Sequence, residues 1–163
     1  MVEKSKIKAT ATAGVYAEVI NQIYDSLDKR IREAVSNAYD AKASEIKIDV
    51  FMRGDEKIVI FDNGNGMDKN DLISKYINMG GGDNYNNTET IGRIGIGGLS
   101  VFALGNKITI NTRKKGSNKV LKAELDLGRI KDAEEYSRPL GEVELGSVRG
   151  ERDATDEDKE GFT

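Results

Sequence analysis

The stretch Asp62-Asn63-Gly64-Asn65-Gly66-Met67 comes directly after an apolar run at residues 57–61. Residues 45–51 alternate charged and apolar side chains, and a turn-like segment at 53–56 separates them from the apolar run. Two strand patterns around a short turn predict a β-hairpin. The hairpin therefore ends at Asp62, where a polar, glycine-containing loop begins.

An acid at a strand end, followed by glycines, suits the recognition of a flat ligand. Asp62 would be held firmly enough to accept a hydrogen bond from a donor on that ligand. Gly64 and Gly66 let the chain bend away and leave room for a ring, and Met67 offers the ring a soft, polarizable contact. Asp-Asn-Gly is also a common turn sequence, so this motif alone indicates a β-turn as readily as a binding site.

A helical pattern precedes the hairpin, between about residues 15 and 43, and the segment 25–28 is a candidate break between two helices. Apolar residues recur there at spacings of three and four, which is typical of one buried stripe. The stripe consists of Ile20, Ile23, Tyr24, Leu27, Ile31, Val35 and Ala38.

Glu33, Asn37 and Asp40 share the side of this helix opposite the stripe. A carboxylate and an amide four residues apart can face one pocket together. The carboxylate of Glu33 can accept a proton from water, and the amide oxygen of Asn37 can bind a hard cation such as Mg²⁺. An isolated pair at this spacing is more typical of a solvated polar face.

The densest glycine run, at residues 91–98, leads into a predicted short helix at 99–104. Backbone N–H groups at a helix N-terminus, approached through glycines, bind phosphate groups. No Gly-Lys-Ser/Thr follows, so the run is not a P-loop, and alone it is a weak signal. The preceding segment, 79–89, is rich in glycine and asparagine and is predicted to be mobile.

The remaining segments complete an α+β pattern. Asp68 is a candidate N-cap for a helix at 68–78, with an apolar face consisting of Leu72, Ile73, Tyr76 and Ile77. Further strands are predicted at 107–113, 119–127 and 142–148. We expect residues 1–13 to form a flexible arm, Lys114-Lys115 a solvated turn, and the charged residues 149–160 an exposed turn or disordered stretch. The order of elements predicts a two-layer sandwich, with helices on one face of a mostly antiparallel sheet.

Composition narrows the possible chemistry. The 163 residues suffice for one domain, and the chain has no cysteine and no histidine. Disulfides and thiolate sites are therefore excluded, and acid–base chemistry depends on carboxylates, lysine or tyrosine. The net charge of −3 argues weakly against direct nucleic-acid binding. The sequence has no apolar run long enough to cross a bilayer and no secretory signal, which predicts a cytoplasmic protein.

Three motifs occur in a fixed order: E-x-x-x-N-x-x-D-A at 33–41, D-x-G-x-G-M at 62–67 and G-x-x-G-x-G-G at 92–98. Together they resemble the motifs of the GHKL superfamily, which includes gyrase-type topoisomerases, heat-shock chaperones, sensor histidine kinases and MutL-type ATPases. The resemblance covers about residues 27–127. It implies a Bergerat fold, a single ATP-binding domain over 1–163, and an ATP lid with its phosphate loop at 79–98.

The resemblance also implies roles for individual residues. Glu33 would be the general base for the water that attacks the γ-phosphate, and Asn37 would be the Mg²⁺ ligand. Asp62 would accept a hydrogen bond from the adenine amine, with Gly64, Gly66 and Met67 lining the base pocket. The phosphates would contact the loop residues Gly92, Arg93, Ile94, Gly95, Ile96, Gly97, Gly98 and Leu99.

Members of the superfamily also have a threonine on a late strand close to the aspartate, usually directly after a glycine. Thr163 is the candidate, although Phe162 separates it from Gly161 and the strand that it should begin is missing. This departure is interpreted as truncation of the chain at its C-terminus.

Glu33 four residues before Asn37, with Asp40-Ala41 after it, is closer to the chaperone, MutL and microrchidia-like branches than to the histidine kinases. The resemblance therefore predicts ATP hydrolysis that drives a conformational or dimerisation switch, with an ATP-dependent homodimer in the full-length protein. The isolated chain is expected to be weak or inactive, because a following transducer domain supplies a lysine to the γ-phosphate. The alternatives are a non-hydrolysing nucleotide-sensing module and, less favoured, a histidine kinase. The protein partner stays open.

Overall fold

The computed structural model describes residues 12–23, 25–54, 56–77, 105–126, 128–129, 137–138, 143–144, 146–156, 158 and 161–163. The helices are α1 (Ala13–Ile23), α2 (Leu27–Asp40) and α3 (Lys69–Asp71), and α3 continues as a π-helical turn, Leu72–Ile77. The strands are β1 (Ile46–Phe51), β2 (Lys57–Asp62), β3 (Lys107–Thr112), β4 (Lys119–Asp126) and β5 (Gly146–Asp153). The predicted helix at 99–104 and the predicted lid at 79–98 lie outside the described residues.

Every strand pair in the described part of the chain is antiparallel. β1 and β2 form the predicted hairpin, in a register that runs from Ile46 opposite Asp62 to Phe51 opposite Lys57. β3, β4 and β5 form a second sheet in that order. The second sheet contributes much of the buried apolar surface: Ile110, Val120, Leu121, Ala123 and Leu125. The α+β class predicted from the sequence is confirmed.

Residues 161–163 join the two sheets, and we call them the joining segment. Phe162 forms an antiparallel bridge with Arg113 directly after β3. On the other side, Asp62 N–H donates to Thr163 O (2.9 Å), and Thr163 N–H donates to Asp62 O (3.2 Å). The Phe162 ring also stacks on Phe61 of β2, with the ring centroids 6.4 Å apart. The end of β2 and the end of β3 are therefore held on either side of one short segment.

The helical region is divided at the predicted break, since α1 ends at Ile23 and α2 begins at Leu27. The predicted flexible arm, residues 1–13, wrongly includes Ala13, which begins α1 and is fully buried. The predicted stripe on α2 is also wrong in part. Ala34 and Ala38 are buried there, whereas Val35 is 38% exposed. The buried face is centred on two alanines, whose small side chains permit a close approach but give little apolar signal in the sequence.

The last strand lies further along the chain than predicted, at Gly146–Asp153 rather than 142–148. The prediction of a turn or disorder from residue 149 is therefore wrong over 149–153. β5 pairs with β4, its charged side chains are exposed, and two of them form ion pairs with side chains of β4. Arg149 Nε lies 2.8 Å from Glu124, and Asp153 lies 2.6 Å from Lys119 Nζ. A strand with solvated, paired charges does not need an alternating apolar pattern.

Asp68 is the N-cap of α3, as predicted, and forms a capping box with Asp71. Leu72 is fully buried, but Ile73, predicted on the same face, is 43% exposed. The turn from Leu72 onward is π-helical. Because a π-helix bonds residue i to i+5, α-helical spacing does not predict which of its residues share a face.

Candidate functional site

Asp62 is the last residue of β2 and is buried, with 8% of its surface exposed. One carboxylate oxygen accepts a hydrogen bond from Gly64 N–H at 2.8 Å. Burial raises the pKa of Asp62 above its ordinary value, and the Gly64 hydrogen bond opposes this only in part. No donor to its other oxygen is found among the described residues. Asp62 is thus a buried acceptor with one oxygen available to a ligand.

The loop after β2 is fixed against the end of α2. Asn63 Oδ1 accepts the backbone N–H groups of Ser44 and Glu45 at 2.9 and 2.8 Å, and Asn65 N–H donates to Ala41 O at 2.8 Å. A Cβ on Gly64 would lie 2.8 Å from both Ala41 Cβ and Ala41 O. The absence of a side chain at Gly64 therefore permits contact between two protein segments, a reason that sequence analysis did not find.

Gly66 has the same kind of requirement on the other side of the loop. Its φ is +59°, and a Cβ there would lie 1.9 Å from Arg113 O. The next residue, Met67, donates its backbone N–H to Thr112 Oγ1 at 2.9 Å. The loop that carries Gly64, Gly66 and Met67 is therefore held between the C-terminal end of α2 and the end of β3.

Thr163 lies beside Asp62, as the resemblance predicted. Both backbone hydrogen bonds of this antiparallel pair are formed, which places the two side chains on the same face of the sheet. Thr163 Oγ1 lies 2.9 Å from Thr112 Oγ1. The short joining segment thus brings Thr163 to Asp62 even though Phe162 separates Thr163 from Gly161.

Sequence analysis missed Thr112, which is fully buried and contacts three of these neighbours. The sequence did carry a signal for its burial, because exposed and covered residues alternate along β3 and Thr112 falls on the same side as Ile108 and Ile110. That phase places its hydroxyl on the covered face, whereas Thr109 lies on the exposed face.

Glu33 and Asn37 lie on α2, and both are partly buried. Burial raises the pKa of Glu33, and the negative charge of Asp40 raises it further. The electrostatic effect of Asp40 on Glu33 agrees with the prediction that they share one side of the helix. Since the buried face is centred on Ala34 and Ala38, that side borders the core instead of lying opposite to it.

The predicted phosphate-loop residues lie outside the described residues: Gly92, Arg93, Ile94, Gly95, Ile96, Gly97, Gly98 and Leu99. Their contribution to a site stays a prediction from the motif.

Lys114-Lys115 leads into an exposed turn, as predicted, but Lys114 is also ion-paired. Its Nζ lies 2.7 Å from Asp68 and 2.6 Å from Asp71. These hydrogen bonds raise the pKa of Lys114, and Lys114 lowers the pKa of Asp68. The contact ties the start of α3 to the segment after β3, next to Met67.

Comparison with known protein families shows which family this chain belongs to. The family model described as histidine kinase-, DNA gyrase B-, and HSP90-like ATPase matches residues 24–156. The chain belongs to this family. The GHKL resemblance of the three motifs is thereby confirmed, and the family is one of ATPases.

Relatives of this GHKL domain include chaperones. The chaperone protein HtpG of Rickettsia typhi is 32% identical over 136 residues, covering 66% of this chain and 22% of the relative. HtpG of Rickettsia canadensis is 33% identical over 122 residues, covering 67% and 20%. The chain thus spans about a fifth of the length of these relatives.

A solved structure shares the fold. The N-terminal domain of a DNA repair protein aligns with a TM-score of 0.56 and 20% identity, over 91% of this chain and 37% of that one. The likeness confirms the α+β Bergerat architecture. The chaperone relatives agree with one of the branches predicted from the helix motif, and they give no support to a non-hydrolysing module or a histidine kinase.

Two features are absent from the described part of this GHKL domain. Within the described ranges, no three acidic side chains come together as a metal site. None of the described helices combines the length and the apolar character needed to cross a membrane.

Proposed function

We propose that this chain is the Mg-ATP-binding domain of an ATPase in which ATP binding and hydrolysis drive a conformational or dimerisation switch. The observation that carries the proposal is the Asp62 carboxylate, which is buried at a strand end with one oxygen bonded to Gly64 N–H. A buried acceptor without a second partner is costly unless a ligand supplies a donor. The amino group of adenine is such a donor.

The surroundings of Asp62 fit a flat base. Gly64 and Gly66 let the loop pack closely against Ala41 and Arg113, which fixes the loop that carries Met67. Thr163 lies on the same face as Asp62, as its backbone pairing requires. In this proposal Asp62 and Thr163 recognise the edge of the base, and Met67 contacts its ring.

Glu33 and Asn37 fit the phosphate end of the ligand. The amide oxygen of Asn37 is a hard donor of the kind that Mg²⁺ accepts, and Mg²⁺ commonly uses few protein ligands together with phosphate oxygens and water. When bound, Mg-ATP supplies the phosphoryl group that is transferred to water. Glu33 would take the proton of that water, and its raised pKa makes it a stronger base than an exposed glutamate.

The finer parts of the proposal rest on the motifs and the resemblance. The backbone N–H groups of residues 92–99 would bind the phosphates, and residues 79–90 would close over the nucleotide. The full-length protein would form an ATP-dependent homodimer in the cytoplasm. This chain alone would turn over ATP slowly, because much of phosphoryl-transfer catalysis comes from charges positioned around the γ-phosphate.

Calorimetric titration of Mg-ADP and Mg-ATP into the chain tests the proposal. We expect binding by the wild type and a loss of at least about tenfold in affinity for Asp62→Asn, since one charge-assisted hydrogen bond is replaced by a weaker one. Asp49→Asn is the matched control, because it removes the same charge from a residue that is exposed on β1. Equal affinity for all three proteins would contradict the assignment of Asp62, and no binding by the wild type would contradict the proposed function.

A further inference from the structure

Thr112 makes three hydrogen bonds through a single hydroxyl group. Its Oγ1 lies 2.9 Å from Met67 N, 2.7 Å from Phe162 O and 2.9 Å from Thr163 Oγ1. The residue is fully buried, so water does not compete for these contacts. All three partners belong to the site loop or to the joining segment.

The chemical nature of the partners fixes the direction of each bond. An amide N–H can only donate, so Met67 donates to Thr112. A carbonyl can only accept, so Thr112 gives its one proton to Phe162 O. The third contact then requires Thr163 to be the donor. Thr163 thus donates its only hydroxyl proton to Thr112 Oγ1.

Thr163 Oγ1 consequently has only lone pairs left for other partners. Its neighbour on the same face of the sheet, Asp62, is an acceptor as well when ionised. The edge of the site formed by Asp62 and Thr163 therefore offers acceptors and no donor. Where this edge faces the 6-position of a purine, an amino group is favoured and a carbonyl oxygen is disfavoured.

We infer that Thr112 is a positioning residue for base specificity: it fixes the Thr163 hydroxyl as an acceptor, and so makes the site prefer a 6-aminopurine to a 6-oxopurine. This inference rests on the proposed function, because it assumes that the base lies against Asp62 and Thr163. Thr112 itself does not touch the ligand. Without it, the Thr163 hydroxyl can rotate and donate to a 6-oxo group.

The test compares the affinities of Mg-ADP and Mg-IDP, which differ in the 6-position group and in protonation at N1. We expect the wild type to prefer ADP by about tenfold or more, because a polar group facing a mismatched partner is strongly rejected. Thr112→Val keeps the shape and removes the hydroxyl, and should reduce that preference several-fold. Thr112→Ser restores the hydroxyl and should restore the preference. Thr109→Val, on the exposed face of β3, is the matched control and should leave the preference unchanged.

The ratio of the two affinities separates specificity from simple damage to the site. A merely structural role for Thr112 would weaken ADP and IDP equally, and an unchanged ratio in Thr112→Val would overturn the inference. If Thr112→Val does not fold, Thr163→Val decides: a reduced ADP preference supports the inference, and a wild-type ratio overturns it. A wild type that binds ADP and IDP equally refutes only the inference, whereas one that binds neither refutes the proposed function.

Discussion

Substitution of Gly66 by alanine tests whether the site loop depends on its close contact with the end of β3. Gly66 has a φ of +59°, and an added Cβ would lie 1.9 Å from Arg113 O and 2.6 Å from Arg113 C. These are backbone atoms, which cannot move aside as a flexible side chain can. The same carbonyl accepts the N–H of Phe162 at 3.0 Å. A displacement at Arg113 would therefore also disturb the joining segment.

The expected cost has two parts. A non-glycine residue in the left-handed region costs roughly 1–2 kcal/mol, and forcing an extra carbon into packed structure costs roughly 1–3 kcal/mol more. Gly66→Ala should thus lower the free energy of unfolding by about 2–5 kcal/mol. Gly116→Ala is the matched control, because Gly116 has a φ of +80° but nothing within 4 Å of an added Cβ. It should lose only the first part, roughly 1–2 kcal/mol.

Urea unfolding of the wild type and both variants, monitored by circular dichroism, measures the two losses on one scale. With a slope of roughly 1–3 kcal/mol per molar urea, the Gly66→Ala midpoint should fall clearly below that of Gly116→Ala. ADP binding should weaken in Gly66→Ala alone, because the displaced loop carries Met67 away from Thr112. Equal midpoints for the two variants would refute the reasoning, since strain at positive φ would then account for the whole effect.

Asp62→Asn should weaken nucleotide binding and yet raise the free energy of unfolding at neutral pH. Burial raises the folded-state pKa of Asp62 above its ordinary value of 3.8, so the folded chain keeps this proton to a higher pH than the unfolded chain does. The free energy of unfolding of the wild type therefore falls as pH rises from about 3.8 through the folded-state pKa. Urea unfolding measured at several pH values should show a smaller fall in the variant. Identical pH profiles for the two proteins would contradict this. Glu33→Gln in the full-length protein should abolish ATP turnover, measured as phosphate release, and keep ADP binding, and turnover at the wild-type rate would exclude Glu33 as the base.

The local elements were predictable because their causes are local. The alternation over 45–51 and the apolar run at 57–61 predicted the β1–β2 hairpin, and Asp68 predicted the start of α3 through its side chain. The break between α1 and α2 was also visible in the sequence. These features depend on side-chain period and capping, which act over a few neighbouring residues.

Errors arose where the deciding contact is distant in the chain. Val35 fits a helical stripe, but whether it is buried depends on what covers α2. The charged residues 149–153 look like a solvated turn, and become a strand because β4 offers them an edge and partners such as Lys119. The ion pairs of Lys114 with Asp68 and Asp71 are likewise not visible in the sequence.

Motif chemistry and side-chain period lie in consecutive residues, and these were enough to predict the family and the hairpin. They also made Glu33, Asn37 and Asp62 the candidate ligand contacts, which stay predictions. How the site is held together depends on the tertiary structure. It placed residues 161–163 between two sheets and gave the Thr112 hydroxyl three partners from separate segments. Hydrogen-bond direction depends on which donors and acceptors meet, and Met67 and Thr163 meet Thr112 only after the chain has folded.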